Sequence, residues 1–139
     1  PKGVRADVDN ILVTSGGLEG MNLLCQLFID PGDVILVESP TFVHCVEIFE
    51  MFQARCVSVE MDEDGMVPED LEDKIRKHSP KMVYVIPTFQ NPTGRTLSLE
   101  RRKKIAGAGG AMPSARMATP AALLAHACGC CGAKRICQP

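Results

Sequence analysis

The first hundred residues predict an α/β fold in which a parallel sheet is joined by crossover helices. Short apolar runs alternate with segments whose apolar residues recur at helical spacing. The connections between them are short and carry glycine, proline or aspartate. The run Val34–Val37 shows no alternation of apolar and polar residues, which is typical of a strand buried on both faces of a parallel sheet. Together these patterns favour right-handed strand–helix–strand units.

Four strands and four helices alternate in this interpretation. The strands are predicted at residues 11–13, 34–37, 56–59 and 82–86, and the helices at about residues 18–28, 42–52, 68–78 and from 98 onward. Pro68 suits the first turn of its helix, and the Ser98 side chain can cap the amides that follow it. Asp62-Glu63-Asp64-Gly65 is predicted to be a turn. We expect the four strands to share one sheet with their carboxyl ends at a common edge.

At 139 residues the chain is long enough to bury the core of one domain. Its formal net charge of −2 gives no reason to expect nucleic acid or an anionic membrane as a partner. The sequence shows neither a signal peptide nor an apolar stretch long enough to span a membrane. Because it begins at Pro1 rather than at methionine, we interpret it as an internal piece, and we expect a cytoplasmic location.

Charge divides the chain into two unequal parts. Residues 1–100 hold all 17 acidic residues and 8 basic ones, a formal charge near −9, whereas residues 101–139 hold 7 basic residues and no acidic ones. The glycine-rich stretch Gly107–Ala111 is expected to break the helix that begins at Ser98. We therefore predict a partial domain at residues 1–106 and an unrelated, poorly ordered tail at residues 107–139. A frameshift, an unspliced segment or an artefact would explain such a tail.

The cysteines follow the same division. Cys25, Cys45 and Cys56 stand singly in apolar contexts, which suits reduced core thiols of a cytosolic protein. The remaining thiols crowd the tail near His126, at positions Cys128, Cys130, Cys131 and Cys137. Zinc sites usually pair cysteines two to four residues apart with a second matching pair, and this spacing fits that pattern poorly. We assign no metal ligand and interpret these side chains as adventitious.

The segment Thr14-Ser15-Gly16-Gly17 lies where the first predicted strand turns into the first helix. Small residues let the backbone approach an anion, and a helix N-terminus offers free amides and positive potential. One interpretation is a phosphate cradle formed by Ser15 and the amides of Gly16 and Gly17. The other is a tight strand-to-helix turn that merely needs glycine.

Two further candidates follow the second and fourth predicted strands. Phe42 can cover the face of a planar cofactor, or it can pack at the start of its helix as aromatic residues usually do. The Asn91 amide can donate a hydrogen bond to a ligand oxygen, or it can belong to an ordinary Asn-Pro turn. Ligands of open α/β sheets bind outside the carboxyl ends of the strands. The topology therefore brings both residues, and Ser15, to one sheet edge.

These segments resemble the fold type I pyridoxal-phosphate aminotransferases of class I/II, above all the branch with the 2-aminoadipate aminotransferases. The resemblance spans residues 1–106 and implies the first part of the large domain of such an enzyme. Five blocks carry it in order and at suitable spacing: Thr14-Ser15-Gly16, Asp30-Pro31-Gly32-Asp33, Glu38-Ser39-Pro40-Thr41-Phe42, Asp62-Glu63-Asp64-Gly65 and Pro87-Thr88-Phe89-Gln90-Asn91-Pro92-Thr93-Gly94-Arg95.

The resemblance implies pyridoxal 5′-phosphate as cofactor and assigns a role to each candidate. Ser15, Gly16 and Gly17 would bind the phosphate. Phe42, where this branch often has tyrosine, would stack on the pyridine ring. Asn91 would donate a hydrogen bond to the phenolic oxygen of the ring. The segment Gly17-Leu18-Glu19 departs from the family, which usually has a small residue and two glutamines there.

The resemblance also implies groups that this chain does not supply. In the family, a Schiff-base lysine, an aspartate opposite the pyridine nitrogen, a tyrosine and a substrate-binding arginine all follow the Asn91 block. Lys134 lies in a Cys/Gly-rich context without the family pattern, so we do not assign it as that lysine. Arg95 receives no catalytic role either. We expect no catalytic residue in this chain.

The expected function is therefore that of an aminotransferase fragment. The parent enzyme would move an amino group between an amino acid and a 2-oxo acid, and it would be a homodimer. The fragment would be inactive alone. The alternative is the aminotransferase-like effector domain of a pyridoxal-phosphate-binding transcription regulator, which carries a DNA-binding region ahead of the domain.

Overall fold

The computed structural model describes Asp9 and residues 11–110, and within these residues it contains five strands and four helices. The strands are β1 (Val34–Glu38), β2 (Arg55–Val59), β3 (Met61–Asp62), β4 (Gly65–Met66) and β5 (Met82–Tyr84). The helices are α1 (Gly17–Phe28), α2 (Val43–Met51), α3 (Pro68–His78) and α4 (Leu99–Gly110). The alternation of helix and strand confirms the predicted α/β class.

A parallel sheet in the order β2–β1–β5 forms the centre of the described region. In register, Val37 of β1 lies between Ser58 of β2 and Tyr84 of β5. Since all three strands run the same way, their carboxyl ends meet at one edge, as the sequence predicted. The predicted turn at residues 62–65 is the connection of the small antiparallel hairpin β3–β4.

Two hydrophobic clusters cover the two faces of this sheet. On one face, Ile35 and Val37 pack with side chains of α1 and α2, and on the other face Leu36 packs with side chains of α3 and α4. Successive residues of a strand point to opposite faces. Helices on both faces therefore explain why the β1 segment is apolar without alternation.

The prediction of a strand at residues 11–13 is wrong, and the sheet has three strands rather than four. Ile11, Leu12 and Val13 are 60%, 75% and 89% exposed, and they take part in neither described sheet. A short β-branched run becomes a strand only where a neighbour supplies hydrogen-bond partners and a surface to pack on. The described residues offer this run no such neighbour.

The sequence predicted that the glycine-rich stretch would end helix α4. This prediction is wrong, because the helix continues to Gly110. Its start agrees with the sequence: the Arg101 amide donates to Ser98 Oγ at 3.3 Å. Ile105 is buried in the second cluster. Glycine destabilises a helix by about 1 kcal/mol per residue relative to alanine, and packing of α4 on the sheet outweighs this cost. The predicted tail lies outside the described residues from position 111 onward.

Arg101 joins α4 to the β3–β4 hairpin. Its guanidinium donates to both carboxylate oxygens of Asp62, at 2.8 and 2.6 Å, and to the carbonyl oxygens of Gly65 and Met66. A guanidinium matches a carboxylate in this two-pronged geometry. The hydrogen bond from Arg101 lowers the pKa of the Asp62 carboxyl.

The three cysteines of the described region are free thiols, as predicted. Cys25 and Cys45 are buried in the first cluster, and burial raises the pKa of Cys25 to about 11. These thiols therefore stay protonated and poorly nucleophilic at neutral pH. Across the part of the chain that the structure describes, there is no helix long and apolar enough to cross a membrane.

Candidate functional site

The loops after β1 and β5 meet at the carboxyl edge of the sheet. They follow neighbouring parallel strands, and a direct hydrogen bond joins them, from Gln90 Nε2 to the Pro40 carbonyl oxygen at 2.8 Å. The first loop leads into Phe42 and the second contains Asn91. The structure therefore brings these two predicted residues to the same edge.

Helix α1 directs its N-terminus towards that edge. Its C-terminal end connects through residues 29–33 to the start of β1, so the helix runs antiparallel to the strand. Gly16 precedes the helix with φ +149°, a conformation that favours glycine, and its carbonyl accepts the Gly20 amide at 3.2 Å. The first amides of any helix lack acceptors within the helix. They are the donors that a phosphate can use here.

Glu19 already engages part of this predicted phosphate cradle. Its Oε2 accepts hydrogen bonds from the Ser15 hydroxyl at 2.6 Å and from the Ser15 amide. These bonds lower the pKa of the Glu19 carboxyl, so it is ionised at neutral pH. The departure from the family pattern at this position thus has a structural consequence: a carboxylate stands among the donors assigned to the phosphate.

Phe42 is partly buried and packs against the first cluster. Its ring meets that of His44 edge-on, with centroids 5.2 Å apart. The packing interpretation of Phe42 is therefore observed. It does not compete with stacking, because an aromatic ring has two faces, and the stacking role stays a prediction.

Asn91 is exposed within a tightly bonded turn. The Gln90 amide donates to the Arg95 carbonyl at 2.8 Å, and the Gly94 amide donates to the Gln90 carbonyl at 2.5 Å. The Asn91–Pro92 bond is cis, as is Ser39–Pro40 in the facing loop. The turn interpretation is thus observed too, while exposure leaves the Asn91 side chain accessible to a ligand.

Two buried polar residues behind these loops were not among the sequence candidates. Glu38 at the end of β1 is 1% exposed, and Gln90 is 2% exposed. Burial raises the pKa of Glu38 to about 7, although hydrogen bonds from Ile86 and Gln90 oppose that shift. The sequence held one signal for Glu38, which directly follows the unbroken apolar run of β1. Because charged side chains are rarely fully buried, a buried carboxyl at this position is unusual.

Arg102 supports the Asn91 loop from helix α4. Its guanidinium donates to the Pro87 carbonyl at 2.7 Å, to Thr88 Oγ1 at 2.8 Å and to the Leu97 carbonyl at 3.0 Å. These bonds hold the start of the loop that follows β5. The loop is therefore braced from one side by α4 and from the other by the β1 loop.

The residues at this edge fit a phosphorylated aromatic ligand. Helix amides and Ser15 suit the phosphate, the Phe42 ring suits a planar face, and Asn91 offers an amide donor. The open backbone at Gly16, with no atom within 4 Å of the position that a Cβ would take, leaves room beside the helix N-terminus. The Glu19 carboxylate opposes an anion here.

Comparisons with known proteins point to one family. The family model of aminotransferase class I and II matches residues 2–112. The aromatic-amino-acid aminotransferase 1 of Thermococcus litoralis is 38% identical over 101 residues, covering 69% of this chain and 24% of that protein. The 2-aminoadipate transaminase of Thermus thermophilus is 32% identical, covering 74% and 25%. The regulator NorG of Staphylococcus aureus is 29% identical, covering 75% and 23%.

A solved structure shows the same likeness in three dimensions. The kynurenine aminotransferase of Pyrococcus horikoshii, in complex with PMP, superposes with a TM-score of 0.68 at 33% identity, covering 71% of this chain and 26% of that one. The chain spans about a quarter of the length of the curated relatives it matches. Since the family model covers most of its residues, the chain belongs to the aminotransferase class I and II family.

Proposed function

We propose that this chain carries the cofactor-binding edge of a pyridoxal-phosphate-dependent aminotransferase. The observation that supports this most is the joined pair of loops at the carboxyl edge, with Phe42 on one and Asn91 on the other, in a chain of this family. The bound cofactor would supply an electron sink for chemistry at the amino carbon of the substrate. The chain's own residues would bind and orient it.

Each residue has a separate task in this proposal. Ser15 and the amides of Gly16 and Gly17 hold the phosphate. Phe42 covers one face of the ring and excludes water from it. Asn91 donates a hydrogen bond to the phenolic oxygen, which stabilises negative charge there and so tunes the ring.

The wider setting belongs to the same proposal. The substrates would be an amino acid and a 2-oxo acid, the whole enzyme would be a cytoplasmic homodimer, and neither nucleic acid nor a membrane would be a partner. Free thiols in the described core suit a reducing compartment. We also propose that this chain alone lacks transaminase activity, because we assign none of its lysines, including Lys134, to the Schiff base.

The binding experiment uses pyridoxamine phosphate, which has no aldehyde and cannot react with surface lysines. We expect saturable binding by the full chain in a calorimetric titration, and weaker binding of pyridoxamine, which lacks the phosphate. Asn91→Ala should weaken pyridoxamine phosphate about tenfold, since a hydrogen bond to a charged group contributes about 1.5 kcal/mol. Gln26→Ala, at an exposed position of α1, is the control and should change nothing.

Two results would count against the proposal. If Asn91→Ala and Gln26→Ala lose the same affinity for pyridoxamine phosphate, Asn91 does not bind the cofactor. If the unmodified chain binds pyridoxamine phosphate and pyridoxamine equally well, it has no phosphate cradle. Conversion of pyridoxal phosphate and an amino acid into pyridoxamine phosphate at an enzymatic rate would overturn the proposed inactivity. Loss of that conversion in Lys134→Ala would then identify Lys134 as the missing lysine.

A regulator effector domain is the second candidate, and the likeness to NorG favours it. The intact Asn91-Pro92-Thr93-Gly94 turn favours the enzyme, because regulators of this fold often depart there. Coding sequence upstream of Pro1 separates the two candidates. A winged-helix segment would support the regulator, and continued aminotransferase sequence would support the enzyme.

The carboxylate of Glu19 leads to a second prediction about the phosphate cradle. Glu19→Gln removes a negative charge beside the phosphate and should raise the affinity for pyridoxamine phosphate roughly two- to fivefold at low salt, as expected for a charge at a helix N-terminus. Affinity for pyridoxamine should not change. The matched control is Glu50→Gln, at an exposed position near the C-terminal end of α2. A gain that is the same for both amines would show that Glu19 does not face the phosphate.

A further inference from the structure

Gln90 is almost fully buried, yet its side-chain amide is bonded at both ends. Its Oε1 accepts hydrogen bonds from the Thr93 amide at 2.9 Å and from the Thr93 hydroxyl at 2.6 Å. Its Nε2 donates to the Pro40 carbonyl at 2.8 Å and to Glu38 Oε2 at 3.3 Å. A buried amide that is fully bonded orders the segments it joins, because each of its partners would otherwise lose a bond.

The oxygen end of this amide closes the turn that contains Asn91. Thr93 is bonded to Gln90 through both its backbone and its hydroxyl, and Asn91 lies between them in the chain. The backbone bonds of Gln90 to Gly94 and Arg95 close the same turn. Four bonds of Gln90 thus help to set the position of Asn91.

The nitrogen end reaches across the sheet edge to a loop fifty residues earlier. Pro40 lies two residues before Phe42, and Glu38 is the last residue of β1. Glu38 Oε2 also accepts a hydrogen bond at 3.0 Å from the amide of Ile86, two residues after β5. One carboxylate oxygen at the end of β1 is thus bonded to the segment that follows β5, and Gln90 adds a bond to the loop that follows β1.

We infer that Gln90, seated on Glu38, is the positioning residue that holds Asn91 and Phe42 at a set distance from each other across the mouth of the site. This inference rests on the proposed function, in which the cofactor ring lies between these two side chains. Gln90 does not touch the cofactor. It acts through the two loops, so that the ring meets a stacking face and a hydrogen-bond donor already in place, which lowers the ordering cost of binding.

The chemistry of Glu38 provides a readout of this coupling. With its pKa raised to about 7, the carboxyl titrates in the neutral range. Tyr84 on β5 is the titratable side chain that feels its charge, and Cys45 on α2 faces Tyr84. Burial raises the pKa of both, so neither changes charge near pH 7. A midpoint near 7 that the Ile86 and Asn91 signals share therefore reports Glu38.

The experiment follows two NMR signals of the full chain between pH 5.5 and 8.5: the Ile86 amide and the Asn91 side-chain amide. In the unmodified protein both should shift with one midpoint near 7. In Gln90→Met the Ile86 signal should still titrate, since Ile86 bonds Glu38 directly. The Asn91 signal should no longer follow it. Gln26→Met on α1 should behave like the unmodified protein.

Binding forms the second arm. Gln90→Met should weaken pyridoxamine phosphate about as much as Asn91→Ala does, and Gln26→Met should not. Continued titration of Asn91 together with Ile86 in Gln90→Met, or unchanged affinity in that variant when the unmodified chain binds, would overturn the inference. If the unmodified chain does not bind pyridoxamine phosphate, the proposed function fails, while the NMR arm still decides whether Gln90 couples the loops.

Glu38→Gln keeps the test decisive if Gln90→Met does not fold. The glutamine can accept the same bonds from Ile86 and Gln90 but carries no charge. Both signals should lose their midpoint near 7. An Asn91 signal that still titrates near 7 in Glu38→Gln would show that another group drives it and would overturn the inference.

Discussion

Glu38→Gln is expected to stabilise the fold above pH 7 and to leave its stability nearly unchanged at pH 4. Burial raises the pKa of Glu38 from about 4.5 to about 7 in the folded protein. The folded state therefore binds this proton more tightly than the unfolded state, so stability falls as pH rises between these two values. Glutamine stays neutral at every pH, so the variant keeps the stability that the unmodified protein loses as Glu38 ionises.

The size of this effect has an upper limit. Raising the pKa of Glu38 from 4.5 to about 7 corresponds to about 3 kcal/mol at pH 8, because a tenfold change in the proton affinity is worth about 1.36 kcal/mol. One oxygen of the carboxylate, Oε1, has no hydrogen-bond partner among the described residues, which leaves the charged form poorly compensated.

Urea unfolding at several pH values between 4 and 8 measures the prediction. The difference in free energy of unfolding between Glu38→Gln and the unmodified chain should grow with pH and level off above 7. Taking the difference cancels the contribution of other carboxylates such as Asp62. Gln26→Ala, at an exposed position without an ionisable group, should give a flat difference. A flat difference for Glu38→Gln would show that its carboxyl is not perturbed by burial.

Gly65→Ala is expected to destabilise the protein by about 2–4 kcal/mol, the sum of backbone strain and overpacking. Gly65 has φ +96°, where a residue with a Cβ is strained. That Cβ would also overlap Leu97 Cδ2 and lie 3.4 Å from Leu97 Cγ. Leu97 is buried in the second cluster and cannot turn away freely.

Gly32→Ala is the matched control, since Gly32 has a similar φ of +91° but no atom within 4 Å of its Cβ position. It should cost only the backbone strain, about 1–2 kcal/mol. The difference between the two variants in the free energy of urea unfolding measures the contact with Leu97. Equal losses would mean that Leu97 moves without cost.

The displacement of Leu97 also reaches the candidate site. The Leu97 amide donates to the Pro87 carbonyl at 3.0 Å, the same carbonyl that Arg102 binds. Pro87 begins the loop that carries Asn91. A shift of Leu97 in Gly65→Ala should therefore move the Asn91 amide signal, whereas Gly32→Ala should not.

The sequence predicted the elements whose signals are local. Strand β1 followed from an unalternated apolar run, and the start of α4 followed from the capping side chain of Ser98. Both were confirmed, because strand burial and helix capping depend on residues that are neighbours in the chain. The family resemblance was confirmed for the same reason, since its blocks are short and contiguous.

The two wrong predictions concern elements whose fate depends on distant partners. Residues 11–13 have the composition of a strand but no neighbouring strand in the described sheet. Helix α4 continues through a glycine-rich stretch because Ile105 packs in the second cluster. Local propensity is a weak preference that tertiary packing overrides.

By itself, the sequence determined the α/β class, the family and the candidates Ser15, Gly16, Gly17, Phe42 and Asn91, because each is marked by its immediate neighbours. Only the tertiary structure decided that Gln90 joins Pro40 and Glu38. These two contacts bridge about fifty residues of chain. Such contacts exist only once parallel register brings the ends of β1 and β5 side by side, and no local pattern encodes that register.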